Sequence, residues 1–398
     1  MRQNSRRLFF IKLLLPLFAL FVGLLIAEGG LRLAERWQTR EQEAFSEKYL
    51  LKDSRLGQRV APNAKGHDAN GFRNDSVPAR AEIVALGDSQ TWGIDAERAE
   101  AWPQQLSKMS GRSVYNMGLG GYGPVQYWAL TEKALSLSPK VIVVGVYMGN
   151  DLYDAYHLAY SSDDYKDLRL RDAPSDLLQD TVGPRADALW DEEKGFQKDY
   201  GRGDLGAWRV WLGGHTAVGR LLVRAGWWPG RTDVWFEVSK AWADAHPEHG
   251  AVYDEAGVRT VLTTAYRLTA LDLDDPHIAE GLRVTGEVIP RMKADAGGAK
   301  LLVVLIPTKE SVFAGAAGVR RLDPVYEKLV RMESRARAAI VAHCEGAGVE
   351  YVDALPPLVE AVNRREQIYS TTTESHPNSK GYRVLASTVN QALTRLGW

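Results

Sequence analysis

The chain of 398 residues has a single cysteine, Cys344. An internal disulfide is therefore impossible, and a cysteine-built metal cluster has no ligands to be built from. Neither sign of charge dominates, with 49 Lys and Arg against 50 Asp and Glu. No basic stripe interleaved with aromatics is present, so no nucleic-acid partner is expected. Internal repeats and low-complexity tracts are absent. So is the G-x-S-x-G turn that marks the nucleophile of the usual α/β-hydrolases. Of the eight histidines, His246 and His249 are three apart, but their Pro- and Glu-containing surroundings point to a solvated loop and not to a metal site. No metal and no cofactor is expected.

What is present is an ordinary globular composition, 45% apolar and 25% charged, enough for a sizeable core. The N-terminus stands apart. Arg2, Arg6 and Arg7 precede Leu8–Ala27, which is apolar except for Lys12. A run of about 20 apolar residues matches the hydrocarbon thickness of a bilayer. A cleaved signal peptide is the competing reading, but the small-x-small cleavage pattern is missing. The expectation is a transmembrane signal anchor over 1–30, then a juxtamembrane stalk and lead-in loop over 31–80, then the main domain over 81–398. Arg32, Arg36 and Arg40 weaken the charge asymmetry across the span. The short N-terminal flank places the domain outside the cytoplasmic membrane.

From residue 81 onward, strands and helices alternate. Ile83–Leu86, Ser113–Asn116, Val141–Tyr147, Leu301–Ile306 and Val349–Val352 are short apolar runs. Trp102–Ser110, Pro124–Ser136 and Gly381–Leu396 suit helices. Continuous apolar strands separated by helices predict an α/β fold with a five-stranded parallel sheet covered on both faces. Residues from about 152 to 298 interrupt the pattern and read as a mostly helical insertion. It carries Trp190, Trp208, Trp211, Trp227, Trp228, Trp235 and Trp242. Large aromatics usually form core, so a small helical cap is the default, with a few rings lining a cleft.

Four short blocks follow strands or precede the last helix. Gly87-Asp88-Ser89-Gln90 follows the first strand. In a parallel sheet ligands bind beyond the C-terminal strand ends, so Ser89 would present its hydroxyl there. Alone, the block is equally an Asp/Ser helix cap. The second strand leads into Asn116-Met117-Gly118-Leu119-Gly120-Gly121, and the third into Gly149-Asn150-Asp151. A glycine N–H and an asparagine amide are suitable donors to an oxyanion. The fourth block is His376-Pro377-Asn378. A serine needs a base to become a nucleophile, and His376 can be that base.

In their order and placement these blocks resemble the SGNH (GDSL) hydrolases. The resemblance covers residues 81–151 and about 300–396. Gly71-Phe72-Arg73 together with the N-terminal span also resembles membrane-anchored bacterial members. It implies a flavodoxin-like three-layer sandwich, with Ser89 as nucleophile and His376 as base. It implies an oxyanion hole made of the Ser89 N–H, the Gly121 N–H and the Asn150 side chain, with Gly120 a neighbouring candidate. The family places an aspartate shortly before the histidine; here Glu374 stands in its place. Glu374 is taken as the third catalytic residue, with a backbone carbonyl as the alternative orienting group.

The expected activity is acyl ester hydrolysis outside the membrane, on O-acyl groups of glycans. Expected partners are an acylated glycan, the membrane and envelope polysaccharide machinery. A polysaccharide O-acetyltransferase would use the same Ser/His pair, and a non-catalytic glycan-binding protein would keep the fold. Gly118-x-Gly120-x-x-Gly123 is formally a dinucleotide-binding pattern, but that reading leaves Ser89 and His376 without roles.

Overall fold

The computed structural model describes residues 47–203, 231–316 and 323–398, with scattered positions in 22–30 and 216–221. Most of the expected membrane span lies outside the described residues. Among the described residues no helix is long and apolar enough to cross a membrane.

Nine strands are described. A small antiparallel hairpin pairs β1 (Leu50–Asp53) with β2 (Gly57–Val60). The central sheet holds β3 (Ile83–Gly87), β4 (Val114–Gly118), β5 (Val141–Tyr147), β8 (Lys300–Ile306) and β9 (Glu350–Asp353). All its pairs are parallel, in the order β4-β3-β5-β8-β9. A second hairpin, β6 (Ala251–Glu255) with β7 (Val258–Leu262), lies between β5 and β8 in sequence. The five apolar runs are thus the five central strands.

The period-two alternation of a strand splits each run between two cores. On one face Val84, Leu86, Ile142, Val144, Val303 and Leu305 are buried under helices α3 (Pro124–Leu135), α4 (Asp151–Ser161), α8 (Pro276–Asp295) and α10 (Pro324–Gly346). On the other, Ile83, Ala85, Val143, Leu302 and Val304 meet α2 (Trp102–Ser110), α9 (Lys309–Ala314), α11 (Leu355–Asn363) and α12 (Ser379–Arg395). This is the three-layer arrangement with the 2-1-3-4-5 strand order of flavodoxin-like folds.

The order places the site. The chain runs from β3 to β4 on one side and then crosses back past β3 to β5 on the other, so the strand order reverses at β3. A crevice opens at such a switch point, beyond the strand ends. The serine, glycine and asparagine blocks follow β3, β4 and β5. Within 152–298 the remaining elements include α5 (Val182–Gly203), α6 (Arg231–Ala245) and α7 (Thr264–Thr269). They stand over that crevice.

Trp242 is core, 3% exposed, whereas Trp190 is 43% exposed. Trp208, Trp211, Trp227 and Trp228 lie outside the described residues.

Candidate active site

β3 ends in Gly87, and the chain turns into α1 (Ser89–Trp92), a single helical turn. Asp88 starts the turn: its Oδ1 accepts from Gln90 N at 2.9 Å. The carboxyl is fully buried, and burial pushes it up to about 6. Asp88 thus caps the turn with Oδ1, while its Oδ2 accepts from the half-buried Ser89 hydroxyl at 3.2 Å. Gly118 lies directly against this turn, and a Cβ there would sit 2.5 Å from the Trp92 backbone nitrogen. The Gly118–Gly123 pattern thus serves close packing against the serine turn. Asn116 ties the same turn to β4, its amide donating to Thr91 O at 2.8 Å.

Arg73 secures the far side of the turn. It is 4% exposed, and its guanidinium lies 3.9 Å from the Trp92 ring centroid. It donates to Trp92 O at 3.2 Å, Gly93 O at 2.7 Å and Ala96 O at 2.9 Å. This gives the Gly-Phe-Arg block a physical task, the bracing of the chain just after Ser89.

The histidine loop approaches from the opposite side. Asn378 caps α12, accepting from Lys380 N at 2.9 Å, and its amide donates to Gln367 O at 2.8 Å. That fixes the chain two residues after His376. His376 Nε2 then lies 2.8 Å from Ser89 Oγ. Its Nδ1 lies 2.5 Å from Glu374 Oε1. The same oxygen accepts from Ser375 N at 2.8 Å and His376 N at 3.1 Å. Partial burial opposes the charged carboxylate, but the His376 imidazolium and these N–H groups outweigh it. They hold Glu374 well below the usual carboxylate range. A glutamate has one more methylene than aspartate, and here it curls back over its own loop to reach the ring.

Beneath this loop lies Lys309, which is fully buried. Its Nζ donates to Glu374 O at 2.8 Å, Thr372 O at 2.9 Å and Val261 O at 2.7 Å. Burial lowers its ammonium to about 8. Thr373 Oγ1 donates to Glu193 Oε1 on α5 at 2.6 Å. The loop is thereby pinned from below by α9 and from above by the insertion.

The three expected oxyanion donors sit at the rim of the same crevice. The N–H groups of Ser89 and Gly121 donate to no acceptor among the described residues. Gly121 has a φ of +78°, a conformation that suits glycine. Gly121 lines the cavity, whereas Gly120 is buried and its carbonyl accepts from Gln58 Nε2 at 3.1 Å. Asn150 Nδ2 lies 2.5 Å from Asp154 Oδ2, one helical turn on. An amide has two N–H groups, so the other remains for a ligand. Burial pushes the Asp154 carboxyl up to about 7.

Ser89, Gly121, Asn150, Glu374 and His376 all line one cavity of about 800 Å³, a size suited to a small organic ligand. All five expected site residues therefore meet, from loops up to 287 positions apart. Beside Arg73 of the Gly-Phe-Arg block, three further residues, Asp154, Arg267 and Lys309, hold or line the site unannounced by any motif. Only Asp154 carries a sequence signal, its i, i+4 spacing from Asn150.

In fold and in the placement of all four blocks the chain resembles the SGNH hydrolases. Similar solved structures include a GDSL-like lipase from Bacteroides thetaiotaomicron. It is 12% identical, with a TM-score of 0.30, over 79% of this chain and 88% of that one. A lipolytic protein of the G-D-S-L family from Veillonella parvula is 11% identical, with a TM-score of 0.32, over 79% and 98%. A mutant of an acetyl-xylooligosaccharide esterase from Geobacillus is 10% identical, with a TM-score of 0.35, over 81% and 96%. Likenesses of this strength carry no weight about activity. No family model and no curated protein matches the chain.

Proposed function

We propose that this protein is a serine-dependent acyl ester hydrolase acting on O-acyl groups of glycans, acetyl foremost, outside the cytoplasmic membrane. The observation that carries the chemistry is the unbroken relay from Ser89 Oγ through His376 to Glu374, at 2.8 and 2.5 Å, opening into a cavity beside unpartnered N–H groups.

Ser89 Oγ attacks the ester carbonyl carbon while its proton passes to His376 Nε2. Glu374, ionised, fixes the ring with Nδ1–H toward itself and stabilises the imidazolium. The oxyanion is received by the N–H of Ser89, the N–H of Gly121 and the free N–H of Asn150 Nδ2. As the tetrahedral adduct collapses, His376 returns the proton to the departing alcohol oxygen. Water then attacks the acyl-serine by the same route, releasing the acid and restoring Ser89.

A glycan substrate is supported by the cavity's outer wall. Trp190 stands half out of the surface, with the Tyr266 ring 5.9 Å away and Lys194 Nζ 4.1 Å from its centroid. An exposed, flat aromatic face at the mouth of the cavity suits a sugar ring. Action outside the membrane rests on the apolar run Leu8–Ala27.

The test is turnover of p-nitrophenyl acetate and of an O-acetylated polysaccharide by the full chain in detergent. Acetate should be released from both, and Trp190→Ala should raise KM several-fold for the polysaccharide alone. Acetate that moves onto an added glycan acceptor would make the same site an O-acetyltransferase. A folded protein without either activity would overturn the reading.

A further inference from the structure

α7 sends Arg267 into the cavity beside the nucleophile. Its guanidinium stands between the two loops that carry the oxyanion donor and the base. Nη2 donates to Ser375 Oγ at 2.6 Å, next to His376, and Nη1 to Gly149 O at 3.5 Å, next to Asn150. Both acceptors are neutral. Nε is sealed from solvent and has no partner. Among the described residues no carboxylate makes a direct ion pair with this arginine; Glu310 and Glu374 act on it only through space. The rings of Tyr147 and Tyr266 flank it, with centroids at 6.0 and 4.9 Å.

An arginine is charged at every working pH, and a partly buried charge is stabilised by a counter-charge. Most of the acidic groups nearby are engaged elsewhere. Glu374 serves His376. Glu193 accepts from Thr373 Oγ1 and Gln197 Nε2, and Asp154 holds Asn150. Glu310 gives Oε1 to the Thr263 N–H and hydroxyl, and Lys309 is its neighbour in the chain. Its other oxygen is unpartnered. Asp95 and Asp187, also on the wall, are open to solvent. Of the cations that line the cavity, Lys194 pairs with Glu193 and His376 with Glu374, whereas Arg267 has no ion-pair partner among the described residues.

We propose that Arg267 is the subsite for a carboxylate carried by the ester substrate close to the scissile bond. This deepens the hydrolase reading and rests on it. The guanidinium has N–H groups to offer beyond the two bonds it makes, and a planar fork suits a carboxylate. The carboxylate can belong to the acyl half, as in a dicarboxylic half-ester, or to the alcohol half, as in an acylated sugar acid.

Two ester pairs separate these sources: mono-p-nitrophenyl succinate against its methyl ester, and p-acetoxybenzoate against its methyl ester. The full-length wild type should favour the anionic member of one pair by roughly tenfold or more in kcat/KM. The pair that shows it identifies the half. In Arg267→Met that ratio should fall to about unity, and Arg267→Lys should keep part of it. Each ratio is internal to one protein, so a general loss of activity does not imitate the result. Equal rates within both pairs, or a preference that survives Arg267→Met, would overturn the subsite while leaving the hydrolase standing. No turnover of any of the four esters would overturn both.

Discussion

Replacing Glu374 by glutamine removes the triad's charge and keeps its shape. The Gln Oε1 can still accept from Ser375 N and His376 N, so the loop that carries the base stays in place. Two things change at the ring. The imidazolium loses its counter-ion, a pair whose charge centres lie about 4 Å apart, worth roughly 4 kcal/mol at an effective dielectric of 20. The Glu374 side chain is 38% exposed, so screening by solvent cuts this to about 2 kcal/mol. That is a factor of about 30 in rate. The amide can also turn its NH₂ toward Nδ1, which leaves the proton on Nε2 and blocks uptake from Ser89. In serine proteases the same trap costs roughly 10⁴. The expected loss in kcat on p-nitrophenyl acetate is thus between about 30-fold and 10⁴-fold, with KM nearly constant and an unchanged thermal melt. A loss below about threefold in a folded variant would refute the reasoning and leave a backbone carbonyl as the orienting group.

Arg73→Met should lower the unfolding free energy by about 2–4 kcal/mol, read by urea denaturation, because three carbonyls lose their donor. Activity should fall with it, since the turn after Ser89 loses its brace. Asp154 gives a pH signature. Its folded carboxyl sits at about 7, raised by burial, so the native state holds a proton that the unfolded chain gives up. The resulting stability is complete below the ordinary carboxylate range and is lost as pH rises through about 7. Wild-type stability should therefore decline from pH 4 to 7, by at most about 4 kcal/mol from this group. Asp154→Asn should flatten that decline, and parallel profiles for the two proteins would contradict the assignment.

The five central strands are legible in the sequence because a parallel strand buried on both faces must be apolar throughout. Val141–Tyr147 has no polar residue to interrupt it. The two hairpins leave no such trace. Leu50–Asp53 and Gly57–Val60 are four-residue, half-exposed strands with Lys52, Asp53, Gln58 and Arg59 among them, and the lead-in stretch reads as loop. The β6–β7 hairpin is a two-stranded ladder inside a helical stretch. Among the tryptophans, Trp242 follows the core expectation while Trp190 does not, and composition cannot tell the two apart. The motif residues are visible because local turns demand them in order. Lys309 and Arg267 are not, because their neighbours come from 48 to 118 positions away, and no pattern along the chain records that meeting.

The central claim is that Ser89 becomes a nucleophile through His376. Intact-mass spectrometry after treatment with a fluorophosphonate tests it most directly. One adduct per chain is expected, mapping to Ser89 on digestion, and absent from both Ser89→Ala and His376→Ala. Labelling at another residue, or labelling of Ser89 that persists undiminished in His376→Ala, would contradict the account.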